Sequence, residues 1–272
     1  MYPKLFQIGP IPVYSYGLML GIAFLVGNWL FGKELKRKGY DENTGVIIVF
    51  MALIGGIVGA KLFYILEDWN FGTGQPLMTY FKPDILFSSS GLTFFGGLVL
   101  SFILIFIYCR IKKLNFLSIL DMMAPATILG YGIARIGCQL AGDGDYGIAI
   151  APDSFWYFLG MSYSNGTVPT PPGIFVHPTP IYETIVCFFI FLYLWKNRMK
   201  YQIPGTLFYL YLIFAGVERF LVEMIRVNPK VIFGLSQAQL IALFMVAAGT
   251  FLFMRNKAKE DKAEKTPLET TE

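Results

Sequence analysis

Long apolar runs, broken by short charged segments and by proline- and glycine-rich stretches, set the rhythm of this chain. A helix needs roughly 17–25 apolar residues to cross a bilayer. Runs of that kind fall near 11–31, 45–66, 92–109, 117–137, 180–195, 204–225 and 235–254. The pattern predicts an all-α integral membrane protein with about seven transmembrane helices, organised as a single polytopic domain over residues 1–254. The fifth run is short and opens at Pro180, a residue suited to the first turn of a helix. Longer connecting segments lie near 67–91 and 138–179, the second containing PTPPGIFVHPTP. Residues 255–272 are charged and lack an apolar period, which predicts a disordered tail.

Composition agrees with the pattern. The chain is 55% hydrophobic and only 15% charged, against about 25% charged in a soluble domain. The placement of Lys and Arg then gives an orientation. Clusters at 33–38, 110–113, 196–200 and 255–265 hold 15 of the 22 basic residues, whereas Lys4, Lys82, Arg226 and Lys230 are the only ones on the opposite side. The positive-inside rule therefore places the tail in the cytoplasm, the N-terminus outside, and the segments 67–91 and 138–179 on the outer face. The first apolar run lacks a basic flank and a small-residue cleavage site, so it reads as a retained span. Cys109, Cys138 and Cys187 stand singly, which argues against a disulfide framework or a zinc site. The run GGIVGAK at 55–61 lacks P-loop spacing and reads as close helix packing. No cofactor, metal or nucleic acid is expected.

The informative positions are ionisable groups within the apolar runs, where they are costly and need partners. The stretch GYGIARIGCQLAGDGDYG at 130–147 carries Arg135 among six glycines and ends in an acidic loop. An arginine ringed by residues that allow close approach suggests an anion site, such as one for a lipid headgroup. Arg219, Glu223 and Arg226 are spaced i, i+4, i+7, on one helical face, with a positive excess that a phosphate could fill. Glu183, one turn into the fifth run, needs a basic partner, for which Arg135 is the candidate. Lys61 either snorkels or contacts phosphate. Tyr14 and Tyr16 serve either as interfacial residues or as hydroxyl donors in a cavity. His177, the only histidine, reads as a helix-entry residue more readily than as a catalyst.

These residues fall in motifs that resemble the bacterial prolipoprotein diacylglyceryl transferases, over roughly residues 8 to 254. The matching pieces are IGPIPVYSYGLM (8–19), GGIVGAKLFYIL (55–66), GLTFFGGL (91–98), APATILGYGIARIGCQLAGDGDYG (124–147), HPTPIYE (177–183), ERFLVEMIRVNP (218–229) and GLSQAQL (234–240). The resemblance implies a multi-pass enzyme of the bacterial cytoplasmic (inner) membrane. Its expected substrates are phosphatidylglycerol, a membrane lipid, and prolipoprotein signal peptides. The diacylglyceryl group would pass to the lipobox cysteine thiol, forming a thioether and releasing glycerol 1-phosphate without a cofactor. By position, Arg135 and Arg219 match the family's two functional arginines and Tyr16 its first-span tyrosine. Gly137, Gly142 and Gly147 match signature glycines, and Asp143 stands where glutamate is usual. Glu183, Glu223 and Arg226 also fall on family positions.

The chain departs from the family in several places. The usual histidine-glycine-glycine is Phe95-Gly96-Gly97, the signature asparagine is Cys138, a tyrosine is replaced by Ala215, and an arginine by Lys61. The phosphate-binding residues are kept, whereas the base that would activate the thiol is left open among Asp143, Asp145, Glu183 and His177. A cationic site that itself lowers the thiol's pKa is a further alternative. Two other readings compete with the transferase: a lipid-binding relative without transferase activity, and a polytopic transporter of a small anion.

Overall fold

The computed structural model describes residues 1–71, 77–80, 82 and 93–265. Most of the expected segment 67–91 and the end of the tail, 266–272, therefore lie outside the described residues. So does the Phe95 side chain. By its packing the chain groups into two units, Gly32–Ile119 and Met1–Phe31 with Leu120–Glu272.

The unit Gly32–Ile119 holds the end of α1 (Ser15–Arg37), α2 (Glu42–Phe71), the short α3 (Leu77–Tyr80), α4 (Phe94–Ile111) and the start of α5 (Phe116–Ala141). Glycines bring α2 and α4 into backbone contact. A Cβ at Gly59 would lie 2.3 Å from the Gly96 carbonyl, and one at Gly97 would lie 2.6 Å from that of Gly56. Ser101 donates to the Ala52 carbonyl (2.9 Å) and Thr93 to that of Ala60 (3.1 Å), closing the seam with interhelical hydrogen bonds. The GGIVGA run is thus a packing surface. Lys61 is buried, its Nζ 5.6 Å from the centre of the Tyr64 ring.

The other unit begins with an antiparallel hairpin, β1 (Lys4–Ile8) and β2 (Ile11–Tyr14), turned at Gly9. The first apolar run therefore enters its helix at Ser15 rather than at 11, because the Gly-Pro turn at 9–10 folds the preceding residues back as strands. After α5 come a long connection containing a 3-10 turn (Phe155–Leu159), then α6 (Thr179–Asn197), α7 (Thr206–Glu223), a hairpin of β3 (Lys230–Ile232) and β4 (Leu235–Ser236), and α8 (Gln237–Lys265). Ile128, Cys187, Leu194, Leu207, Leu210 and Ala215 form the core among α5, α6 and α7.

Helix ends in this unit are fixed by side chains. Asp121 in α5 accepts from the backbone N–H of Gly205 (2.6 Å) and Phe208 (2.8 Å), neutralising the start of α7 from another helix. Ser236 accepts from the N–H of Gln239 (3.2 Å) while the Gln239 side chain accepts from the N–H of Ser236 (3.0 Å), a reciprocal capping box at the start of α8. Against the expected disordered tail, α8 continues through Arg255 to Lys265. Its extension RNKAKEDKAEK is rich in good helix formers. Buried Asn256 pins it by donating to the Pro204 carbonyl (3.3 Å) and the Thr206 hydroxyl (3.0 Å).

Among the described residues, five helices are long and apolar enough to cross a membrane: Ser15–Arg37, Asn43–Trp69, Phe116–Ala141, Thr179–Asn197 and Gln237–Lys262. Gly96–Ile111 is a shorter apolar helix. The segment expected to supply the remaining span, α7, carries Glu218, Arg219 and Glu223 within its 18 residues. The described residues are thus mostly helical, with two small hairpins. Large apolar side chains such as Leu25, Phe189, Phe244 and Phe251 point outward, as lipid-facing positions do.

Candidate active site

The C-terminal end of α5, the start of α6 and the end of α7 bring most of the expected residues into one connected set of charges. Arg135 is the hub on α5. Its Nε lies 2.6 Å from Glu183 Oε2, so the basic partner expected for Glu183 is present. Its Nη1 donates to Asp145 Oδ2, and its guanidinium stacks 4.8 Å from the centre of the Tyr131 ring one helical turn earlier. Tyr131 in turn donates to Glu183 Oε2 (2.5 Å). Arg226 completes the group, its Nη1 3.3 Å from Glu183 Oε1 and its Nη2 on Asp145 Oδ1. Glu183 is fully buried yet fully compensated, by two guanidinium groups and a phenol.

The chain of charges continues along α7. Arg226 Nε lies 3.8 Å from Glu223 Oε2, and Arg219 Nη2 lies 2.8 Å from the same oxygen. Asn228 (2.6 Å) and Ser236 (2.7 Å) donate to Glu223 Oε1. Two expectations are corrected here. The helix ends at Glu223, so Arg226 does not share a helical face with Arg219; it leaves the helix to bridge with Gly147, and Glu223 links the two arginines. Nor is there a positive excess. Arg135, Arg219 and Arg226 face Asp145, Glu183 and Glu223, because carboxylates arrive from the loop and from α6 to join Glu223. Any anion must be held by directed N–H groups rather than by net charge. One such group is on hand: Arg219 Nη1 is buried and has no hydrogen-bond partner among the described residues.

Glycines allow the loop to reach these groups. Gly142 (φ +59°) packs on Gly166, where a Cβ would come within 2.7 Å of backbone, and a Cβ on Gly147 would lie 2.6 Å from the Ile225 carbonyl. Gly137 sits against Tyr16, which places that tyrosine within electrostatic reach of Arg135, Asp143 and Asp145. Asp143 accepts from the Asp145 N–H (3.3 Å) and hydrogen-bonds the Cys138 thiol. Burial, then the neighbouring Asp145 charge, raises the Asp143 carboxyl above the usual range. Asp145 behaves oppositely. Burial works to raise it, but Arg135 and Arg226 outweigh burial and hold it below that range. Ligand atoms of Cys138, Asp143 and Asp145 lie within 4.8 Å of one another. Two guanidinium groups already occupy the Asp145 carboxylate, which disfavours a cation there.

His177 lies apart from this chemistry. Its Nδ1 is 3.2 Å from the Tyr182 hydroxyl and its carbonyl accepts from the Gly147 N–H (2.8 Å), which makes it an organiser of the entry to α6. Lys61, Gly96 and Gly97 belong to the unit Gly32–Ile119, where the α2–α4 contact accounts for both glycines. The sequence reading passed over Tyr131, Glu218, Asp121, Asn228 and Ser236. The i, i+4 spacing to Arg135 was the signal for Tyr131, and an acid inside an apolar run was the signal for Glu218 and Asp121.

The comparisons with known proteins bear on the same region. A family model described as prolipoprotein diacylglyceryl transferase matches residues 3–255. A phosphatidylglycerol–prolipoprotein diacylglyceryl transferase of Clostridium tetani is 34% identical over 256 residues, covering 93% of this chain and 97% of its own length. One from Dehalococcoides mccartyi is 30% identical, covering 97% and 96%, and one from Leptospira interrogans is 29% identical, covering 89% of each. A match along nearly the whole chain, which takes in every residue of the Arg135–Glu183–Arg226–Glu223–Arg219 series, means that this chain belongs to the prolipoprotein diacylglyceryl transferase family.

Proposed function

We propose that this protein transfers the diacylglyceryl group of phosphatidylglycerol to the lipobox cysteine thiol of prolipoproteins, in the bacterial inner membrane. The observation that carries this reading is a buried series of arginines and carboxylates running from α5 to α7 and ending in the unpartnered Arg219 Nη1. In the reaction the thiol gives up its proton and its sulfur bonds to the glyceryl carbon. The carbon–oxygen bond to the phosphate breaks, and the electron pair leaves on glycerol 1-phosphate. Negative charge grows on that phosphate, so directed guanidinium donors stabilise the transition state more than the ground state. Arg219 supplies the free donor. Arg135, held on Glu183 and Asp145, ties α6 and the loop to the end of α5. Tyr16, packed against Gly137 and within electrostatic reach of Arg135, is the candidate hydroxyl donor on α1.

The four candidate bases separate on their partners. Glu183 is saturated by Arg135, Arg226 and Tyr131, and Asp145 is held in its least basic state by two arginines. His177 is turned to Tyr182. Asp143, with its raised carboxyl next to Tyr16 and Arg135, is the best placed to take the thiol proton. Seven spans with an outside N-terminus fit the basic ends of α1, α4, α6 and α8, and would set this site at the outer leaflet. The test combines purified protein, phosphatidylglycerol and a lipobox peptide, followed by mass. A gain of one diacylglyceryl unit is expected. Lipid binding without that gain would mean a non-transferring relative.

A further inference from the structure

Glu218 is left without a task by the mechanism above, yet it is among the most deeply buried charged residues of α7, with 4% of its surface exposed. Its Oε1 has no hydrogen-bond partner among the described residues. Buried carboxyl oxygens almost always find donors, because an unmet one forfeits its hydration. The next residue, Arg219, has a buried Nη1 that lacks an acceptor. A donor and an acceptor on neighbouring residues both stay open, rather than closing on each other. The surrounding groups are committed elsewhere: the Tyr131 hydroxyl to Glu183, and Arg135 to Glu183 and Asp145. Glu218 nonetheless lies within electrostatic reach of Arg135, Glu183, Arg219 and Arg226, so its carboxyl belongs to the same polar interior.

An open donor and an open acceptor within one polar interior match a ligand that carries both an anionic oxygen and a hydroxyl. Resting on the transferase reading, we propose that Glu218 accepts a hydrogen bond from a glycerol hydroxyl of the phospholipid headgroup while Arg219 Nη1 donates to its phosphate. Glu218 would then be the residue that selects a hydroxylated headgroup. A headgroup ammonium would also suit a carboxyl, which makes phosphatidylethanolamine the competitor that the experiment includes. A site built around such a hydrogen bond rejects analogues that cannot make it, since the protein's own polar atom is then stranded.

The experiment measures binding and transfer by the full-length protein with three lipids of matched acyl chains: phosphatidylglycerol, phosphatidylethanol and phosphatidylethanolamine. Wild type is expected to prefer phosphatidylglycerol over phosphatidylethanol by about tenfold or more in binding. Glu218→Leu should shrink that ratio to about twofold or less, by weakening phosphatidylglycerol, and Glu218→Gln, which keeps an acceptor oxygen, should retain most of it. Because Glu218→Leu removes an unmet carboxyl, its melting temperature should equal or exceed that of wild type. The proposal is overturned if wild type does not discriminate, if Glu218→Leu weakens both lipids equally, if Glu218→Gln behaves as Glu218→Leu, or if phosphatidylethanolamine binds best. Should Glu218→Leu fail to fold, the wild-type ratio and Glu218→Gln still decide. Absence of transfer from every lipid, with a Glu218-dependent binding ratio intact, would remove the transferase reading and leave this one standing.

Discussion

The two ends of the charge series are built differently. Around Glu183 every strong group has a partner: Arg135 and Arg226 each grip Glu183 and Asp145, and Tyr131 closes the remaining contact. Around Arg219 the accounts stay open, with Arg219 Nη1 and Glu218 Oε1 both buried and unmatched. Within one low-dielectric interior, saturated charges cost little further and hold helices in place. Unsaturated ones keep a standing desolvation penalty that a ligand can relieve. On the proposed reading the first end is scaffold and the second is binding surface, although both consist of the same residue types.

The largest effect should come from attacking the scaffold end. Glu183→Ala removes the fully buried one of the two carboxylates that Arg135 and Arg226 share, and should cost about 3–5 kcal/mol of stability. Thermal unfolding in detergent reads this directly, and loss of folded protein is the expected outcome. Arg219→Ala should do the reverse. Glu223 keeps Asn228, Ser236 and Arg226, so stability should fall by only about 1 kcal/mol, whereas transfer should drop by roughly 10²–10³, as when one transition-state donor is removed. Equal effects of the two substitutions on both readouts would dissolve the distinction between the ends.

A third effect concerns pH. The Asp143 carboxyl is raised, by burial and by Asp145, so the base form is lost at a higher pH than for an ordinary aspartate. Transfer should fall on the acid side with an apparent pKa above about 3.9, the free aspartate value. Asp143→Asn should slow transfer by about 10² and abolish that limb. Asp145 works the other way round. Its depressed carboxylate contributes stability above the unfolded value, and that contribution is lost as pH falls through its lowered folded value. Melting temperatures should therefore fall in a more acid range than the one in which the rate falls.

Much of this was legible in the sequence because burying charge in an apolar run forces pairing. Arg135 and Glu183 could be matched before any coordinates, since neither tolerates hydrocarbon alone. The glycine seam of α2 was legible for a similar reason, as small residues in an apolar run permit backbone contact. What could not be read was any property that depends on where a helix stops. The i, i+7 reading of Arg219 and Arg226 assumed a helix that in fact ends at Glu223, beyond which Arg226 bridges to Gly147, a partner remote in sequence. The charge balance failed on the same ground, because Asp145 reaches the arginines only through the turn at Gly142 and Gly144. The helical extension past Arg255 has good helix formers, but what pins it is buried Asn256 on Pro204 and Thr206, which composition does not report.

The smallest effect tests the border between the two ends. Ser236 belongs to both the capping box of α8 and the shell of Glu223, donating to Oε1 at 2.7 Å while accepting from the Gln239 N–H. Ser236→Ala removes a cap and one of two neutral donors to a buried carboxylate, which together should cost about 2 kcal/mol. Gln239→Ala removes the reciprocal half of the box together with the contact from Lys230 Nζ (3.3 Å), leaves the hydrogen bond to Glu223 in place, and should cost about 1 kcal/mol. The excess cost of Ser236→Ala therefore reports on the hydrogen bond to Glu223. If Glu223 is scaffold, that difference appears in the melting temperature and transfer changes by no more than about threefold, because Asn228 and two arginines still hold the carboxylate. If transfer instead falls as far as it does in Arg219→Ala, the binding surface extends through Glu223 to the start of α8, and the division must be redrawn one residue deeper.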